Sequence, residues 1–250
     1  MPQSSNSVAN QAARQLSTND TVFETLLRDI VSGKYPAHTR LPAERELSKE
    51  LGASRPTLRE ALRRLAQWKL VIARWGSGIV VQPNSDWSLD VLPAFMRYST
   101  PDKNTPSDAE ILADLMLLRR GLMREILRIV ASRFSETTAQ DARTAAMEAW
   151  ELRHDSTKFV TADLEVLRAM VASANFLPGL WMLNQLRSIY IDMARTLGDV
   201  LPPPDSRYLS VWNEVLDACE QQEGARAVDA METYLCEHDS RLLAILGHNL

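Results

Sequence analysis

The sequence predicts a mainly α protein: an N-terminal winged helix-turn-helix with a small β-hairpin wing, then an all-α antiparallel bundle of six or seven helices. Three observations carry this. Between Leu41 and Leu65 two short helical patterns meet at Gly52, and the second carries Arg55, Arg59, Arg63 and Arg64. A β-rich run broken by "WGSG" follows. From Asp108 onward apolar residues recur at spacings of three and four with no strand pattern of comparable strength.

Residues 1–18 are rich in Ser, Asn, Gln and Ala, with Arg14 as their single charge, and are expected to form a disordered leader. "TNDTVFETLLRDIVSGKY" reads as a helix capped by Thr18 or Asn19 and stopped by Gly33, with Val22, Phe23, Leu26, Leu27 and Ile30 on one stripe. In the next helix Pro42 suits the first turn, Glu44 and Glu46 suit its positive end, Leu47 and Leu51 face inward, and Gly52 closes it. Ser54 then caps a helix whose Leu58, Ala61, Leu62 and Leu65 bury. Arg55, Arg59 and Arg63 are each four apart and line another face, a ridge suited to the major groove. Leu70–Ala73 and Ile79–Val81 form the hairpin, and the glycines at its tip allow close approach to a phosphate or the minor groove. The competing reading is a small helical domain with an incidental hairpin.

After Pro83 the segment "NSDWSLDVLPAFMRY" reads as a short amphipathic linker helix and "STPDKNTPS" as a loop. A long helix follows from Asp108 to about Arg133, with Ile111, Leu115, Leu118, Leu122, Ile126 and Ile129 as its apolar stripe. Further helices fit Glu136–Arg153, Thr157–Ala174, Pro178–Leu197, Asp205–Gln222 and Ala225–Leu246, with breaks at "SETT", "HDS", "NFLPG", "LPPPD" and "EGA". The expected organisation is a leader (1–18), a winged helix-turn-helix domain suited to DNA (19–84), a linker (85–107) and an all-α domain (108–250).

The net charge of -4 hides a split. Residues 1–85 carry 12 Lys+Arg against 7 Asp+Glu, and residues 86–250 carry 16 against 25. A basic small half beside an acidic larger one fits a polyanionic partner for the former, or a merely solvated basic face. The sequence holds no GxSxG, GxxxxGK[ST] or HExxH motif, which argues against an enzyme. With no apolar run long enough to span a bilayer and only Cys219 and Cys236, the chain is expected in the cytoplasm, with reduced thiols and no membrane partner.

"RLPAERELSKELGASRPTLREALRRL" followed by "GSGIVV" closely resembles the DNA-binding domain of the GntR family of bacterial transcription regulators, from about Val22 to Pro83. The resemblance implies double-stranded DNA as partner, a near-palindromic operator, a homodimer and a repressor. It assigns DNA contacts to Arg45, Arg55 and Arg59, with Ser54, Pro56 and Thr57 at the helix start and Gly76 at the wing. Pro56 departs from the hydrogen-bonding residue that many members carry. The second half resembles the effector domain of the FadR branch (FCD) through Arg119 in "LLRRGL", Asp163 in "ADLEVLRAMVASAN", Asn175 and "AVDAMETYL", and "DWSLDVLPAFM" resembles the linker of members that respond to sugar acids.

Many relatives of that kind hold a divalent metal with an Asp, a His four residues on, and two His twenty-two apart on the last two helices. The positions here are Asp163, Leu167, Trp212 and Tyr234, so three of the four ligands are missing, and no metal or other cofactor is expected. His154 and His238 lie off the pattern. Asp163 is then expected to pair with an arginine such as Arg119 or to cap a water network. Arg119, Asp163, Arg187, Trp212 and Tyr234 are the candidate effector residues, around a carboxylate-bearing small molecule such as a sugar acid. A long acyl group in an apolar tunnel, as in an acyl-CoA-responsive regulator, is the alternative. A third reading has Trp212 and Tyr234 as plain core in a DNA binder with no small-molecule effector.

Overall fold

The apolar stripe of the first helix organises the N-terminal unit. In the computed structural model, which describes residues 20–100, 106–133 and 139–247, α1 (20–31) buries Val22, Phe23, Leu26, Leu27 and Ile30. The leader and the cap at Thr18 or Asn19 lie outside the described residues. Gly33, at φ +80°, ends the helix, a conformation that costs glycine little. α2 (Glu44–Glu50) contributes Leu47, and α3 (Arg55–Gln67) contributes Leu58, Ala61, Leu62 and Leu65 to the same core. Pro42 stands outside the first turn rather than in it, because Ala43 is the N-cap of α2. Gly52, at φ +60°, makes the turn between the two helices.

The wing is a two-stranded antiparallel sheet of β1 (Val71–Arg74) and β2 (Gly78–Val81), paired Val71 to Val81 and Arg74 to Gly78. Arg40 forms an isolated bridge to Val80. The expected linker helix is present as α4 (Leu92–Tyr98), preceded by two short 3-10 turns, but it packs against the first unit. Val91 and Ala94 are buried in the core that α1 and α3 build, and the division between the two units falls after Pro101.

The second unit is built from α5 (Asp108–Ala131), α6 (Ala139–Glu151), α7 (Ser156–Ser173), α8 (Leu177–Leu197), α9 (Tyr208–Glu220) and α10 (Gly224–Ile245). The expected "SETT" break lies outside the described residues. Ser107 caps α5 and Asp155 caps α7 through their side chains, each satisfying a backbone N–H that the helix cannot. The ion pairs Arg119–Asp239 and Arg124–Glu232 show that α5 and α10 run antiparallel.

The stripe expected on α5 needs correction: Leu118 is 54% exposed, while Leu112, Met116, Leu127 and Val130 are buried. α5 is apolar around most of its circumference, so spacing alone does not select the buried face. Cys219 is buried in the bundle core and Cys236 is exposed. No described helix is long and apolar enough to cross a membrane.

Candidate functional site

Two sites emerge, one on the outside of the first unit and one inside the second. On the first, Ser54 is placed by its role at the head of α3. Its Oγ accepts from Thr57 N at 3.3 Å, and the two hydroxyls lie 2.8 Å apart. Thr57 is therefore turned inward and buried, where it fixes the start of the helix. Pro56, Arg55 and Arg59 are exposed on its first two turns, and Arg45 is exposed on α2.

The arginines divide by what they touch. Arg59 Nε donates to Glu44 Oε2 at 2.9 Å, and Arg63 pairs with Glu60 within the helix. Both pairs are solvent-exposed and worth about 0–1 kcal/mol each, so a phosphate or a base edge competes with them readily. Arg64 lies over the Phe23 ring at 3.8 Å and pairs with Asp20 at 2.8 Å, which ties α3 to α1. Among the described residues Arg45 and Arg55 have no acidic partner. At the wing, Gly76 has φ +73° with open space around it, beside a fully exposed Trp75. Gly78, at φ +77°, lies under Arg40: a Cβ there would meet Arg40 Nε at 2.7 Å.

Inside the second unit, α5, α7, α8, α9 and α10, with Leu201 and Pro202, line a cavity of about 180 Å³. The four positions at which the resembling family places metal ligands, Asp163, Leu167, Trp212 and Tyr234, all line it. They do not form a metal site. Asp163 Oδ1 accepts from the Tyr208 hydroxyl at 2.7 Å and from Trp212 Nε1 at 3.3 Å, and the remaining positions offer a leucine, an indole and a phenol. Among the described residues no group of three His, Cys, Asp or Glu could hold an ion. Burial pushes the Asp163 carboxyl above the ordinary carboxylate range, against the opposing pull of the Tyr208 hydrogen bond and of Arg119. Burial likewise raises the Tyr208 and Tyr234 hydroxyls, which stay protonated donors.

Two expected placements change. Arg119 lines the cavity but pairs with Asp239, a fully buried carboxylate on α10, and not with Asp163. Arg187 is on the outer face of α8, paired with Glu165 at 3.4 Å, and does not line the cavity. Trp212 and Tyr234 are both core and cavity wall: each is buried and each lines the space.

Sequence reasoning missed Tyr190, Tyr208 and Asp239, and set His238 aside as off the metal pattern. Two were within reach, since Tyr208 precedes Trp212 by four residues and His238 follows Tyr234 by four, so each pair shares a helix face. His154, by contrast, is exposed. Arg119 Nε, His238 Nδ1 and Asp239 Oδ2 are buried with no hydrogen-bond partner.

The family described as "Bacterial regulatory proteins, gntR family" matches residues 18–81. An HTH-type transcriptional regulator of Mycobacterium tuberculosis is 31% identical over 173 residues, 69% of this chain and 67% of that one. The fatty acid metabolism regulator protein of Serratia proteamaculans is 26% identical over 214 residues, 84% of each chain. Among solved structures, one described as "Lar controls the expression of the Listeria monocytogenes agr system and mediates virulence" is similar with a TM-score of 0.60 at 16% identity, covering 90% of this chain and 95% of that one. At that identity the similarity shows the fold alone.

Proposed function

Because the chain belongs to the GntR family of bacterial regulatory proteins, and is a DNA-binding transcription regulator on that ground, we propose that a mostly hydrocarbon effector, held in the bundle cavity, sets its affinity for DNA. The single observation that carries this is the cavity wall. Of its 28 residues, all but Arg119, Asp163, Tyr190, Tyr208, Trp212, Tyr234 and His238 present hydrocarbon or thioether. An apolar cavity of about 150 Å³ accommodates benzene, so the space suits a ligand of about seven heavy atoms.

A sugar acid of that size would bring a hydroxyl on nearly every carbon. Each buried hydroxyl without a partner costs about 1–3 kcal/mol, and this wall has few partners to give. The acyl alternative is therefore the better reading. The relative named fatty acid metabolism regulator protein is in keeping with it.

The DNA-reading face in this proposal comprises Arg45, Arg55 and Arg59, with Gly76 at the wing, while Ser54 and Thr57 set the helix start and Pro56 stands beside them. One such face reads a half-site, so the working form is a homodimer on a near-palindrome. Exposed Leu117 and Leu118 on α5 supply apolar surface for it. Light scattering at micromolar concentration should give twice the chain mass of 28.1 kDa; a monomer both with and without DNA would contradict the dimer.

The effector is tested on a duplex selected from a random pool by the purified protein. Hexanoyl derivatives should weaken the complex by tenfold or more, as expected of a repressor released by its ligand, and gluconate or galacturonate should not. The reverse result would return the sugar-acid reading.

A further inference from the structure

The polar residues of the cavity are not scattered along it. Arg119 stands near the middle of α5, Asp163 and Tyr190 within α7 and α8, Tyr208 and Trp212 on α9, and Tyr234 and His238 on α10. They are neighbours in space. Tyr208 and Trp212 both donate to Asp163, Arg119 and His238 act electrostatically on Asp163, and Arg119 acts on Tyr190. Together they form a belt around the waist of the cavity.

The helix directions place apolar side chains on both sides of that belt. The Ser156 hydroxyl at the start of α7 donates to the Gly198 carbonyl just past α8. Arg241 near the end of α10 reaches Asp205 just before α9, and Phe159 packs on Tyr208. With α5 and α10 antiparallel, one end of the cavity gathers Leu112, Phe159, Leu197 and Leu242. The other gathers Ile126, Leu167, Met182 and Met231.

We infer that the effector carries its hydrogen-bonding group in the middle of a chain of about seven or eight heavy atoms, as a secondary alcohol with a short apolar arm on each side. This rests on the hydrocarbon reading of the cavity and narrows it. A chain with its polar group at one end can place that group at the belt and fill only one chamber. The other chamber then loses its contacts, since a wall facing a void has no partner atoms. A mid-chain hydroxyl fills both.

The belt also has the right partners for an alcohol. Among the described residues the donors to Asp163 both use Oδ1, which leaves Oδ2 to accept from the ligand hydroxyl. Tyr190 lines the cavity, where its hydroxyl can donate to the ligand oxygen.

Positional isomers test this on the full-length chain. Heptan-4-ol, heptan-2-ol and heptanoate are titrated against tryptophan fluorescence and by calorimetry. Heptan-4-ol should bind on the order of tenfold tighter than either of the others, and Tyr190→Phe should remove most of that preference while leaving the melting temperature within a few degrees of wild type. Equal binding of the two alcohols, or heptanoate binding tightest, overturns the central-hydroxyl inference and leaves the hydrocarbon reading standing. If none of the three binds up to its solubility limit, both fall.

Discussion

The two units put their candidate chemistry on opposite sides of their cores. In the first, Phe23, Leu26, Leu58 and Leu65 pack completely and the groups proposed to read DNA are what remains outside: Arg45, Arg55, Arg59 and the wing tip. In the second, the groups proposed to hold an effector are inside, where five helices fail to fill the space between them. An outward site follows from a periodicity once the buried face is known. An inward site depends on side-chain volumes contributed by segments far apart in sequence, so it tolerates change differently and reads differently.

The sharpest way to break the comparison is to strip the core under the outward site. Phe23→Ala removes a fully buried ring that meets Trp68 edge-on at 5.0 Å and supports Arg64, and should cost about 3–5 kcal/mol. Urea unfolding should then resolve two transitions, the first unit melting early and the bundle unchanged. A single shifted transition would mean that the two cores are energetically one.

Asp239→Ala is the counterpart in the bundle. It leaves the mostly buried Arg119 and Arg120 beside a lost carboxylate and should cost about 3 kcal/mol, in the bundle transition alone. Thermal melts that move by less than one degree would show that solvent reaches the guanidinium groups through the cavity.

Arg59→Ala should lower affinity for the selected duplex by about 1–3 kcal/mol if it reads a base. Its exposed pair with Glu44 is worth little, so stability should barely change. Full affinity in the variant, measured by anisotropy, would remove α3 from the groove.

The smallest effect concerns pH. The Asp163 carboxyl is raised in the folded state above its ordinary 3.8, chiefly by burial. Such a group contributes stability that is fully present below 3.8 and is lost as pH rises through the folded value. Asp163→Asn keeps an acceptor for Tyr208 and Trp212 and should melt higher than wild type at pH 7, with the gap closing as pH falls toward 4. A gap that stays constant with pH would place the effect in packing.

Legibility followed the same division. The helix-turn-helix was readable because each level agreed: Ser54 as cap, Gly52 as turn, four leucine and alanine positions at helical spacing, and a cationic face opposite them. Bundle helices were also placed within about three residues, since α7 was expected at Thr157–Ala174 and runs Ser156–Ser173. What spacing could not give was rotation and partnership. α5 is apolar on too many sides for Leu118 to betray its exposure, Arg187 looks like Arg119 until α8 is turned outward, and the Arg119–Asp239 pair joins residues 120 apart. The belt was hidden because each helix contributes only one or two of its members.

Arg40 and Gly78 restrict this wing unequally. The guanidinium occupies the place where any side chain at 78 would begin, and the backbone there adopts φ +77°. Arg40 is exposed and its tip can swing aside, so the contact is the lesser obstacle. The left-handed backbone is the lasting one, since residues other than glycine resist it. A library that randomises position 78 should therefore return mostly glycine and asparagine, whatever stands at position 40.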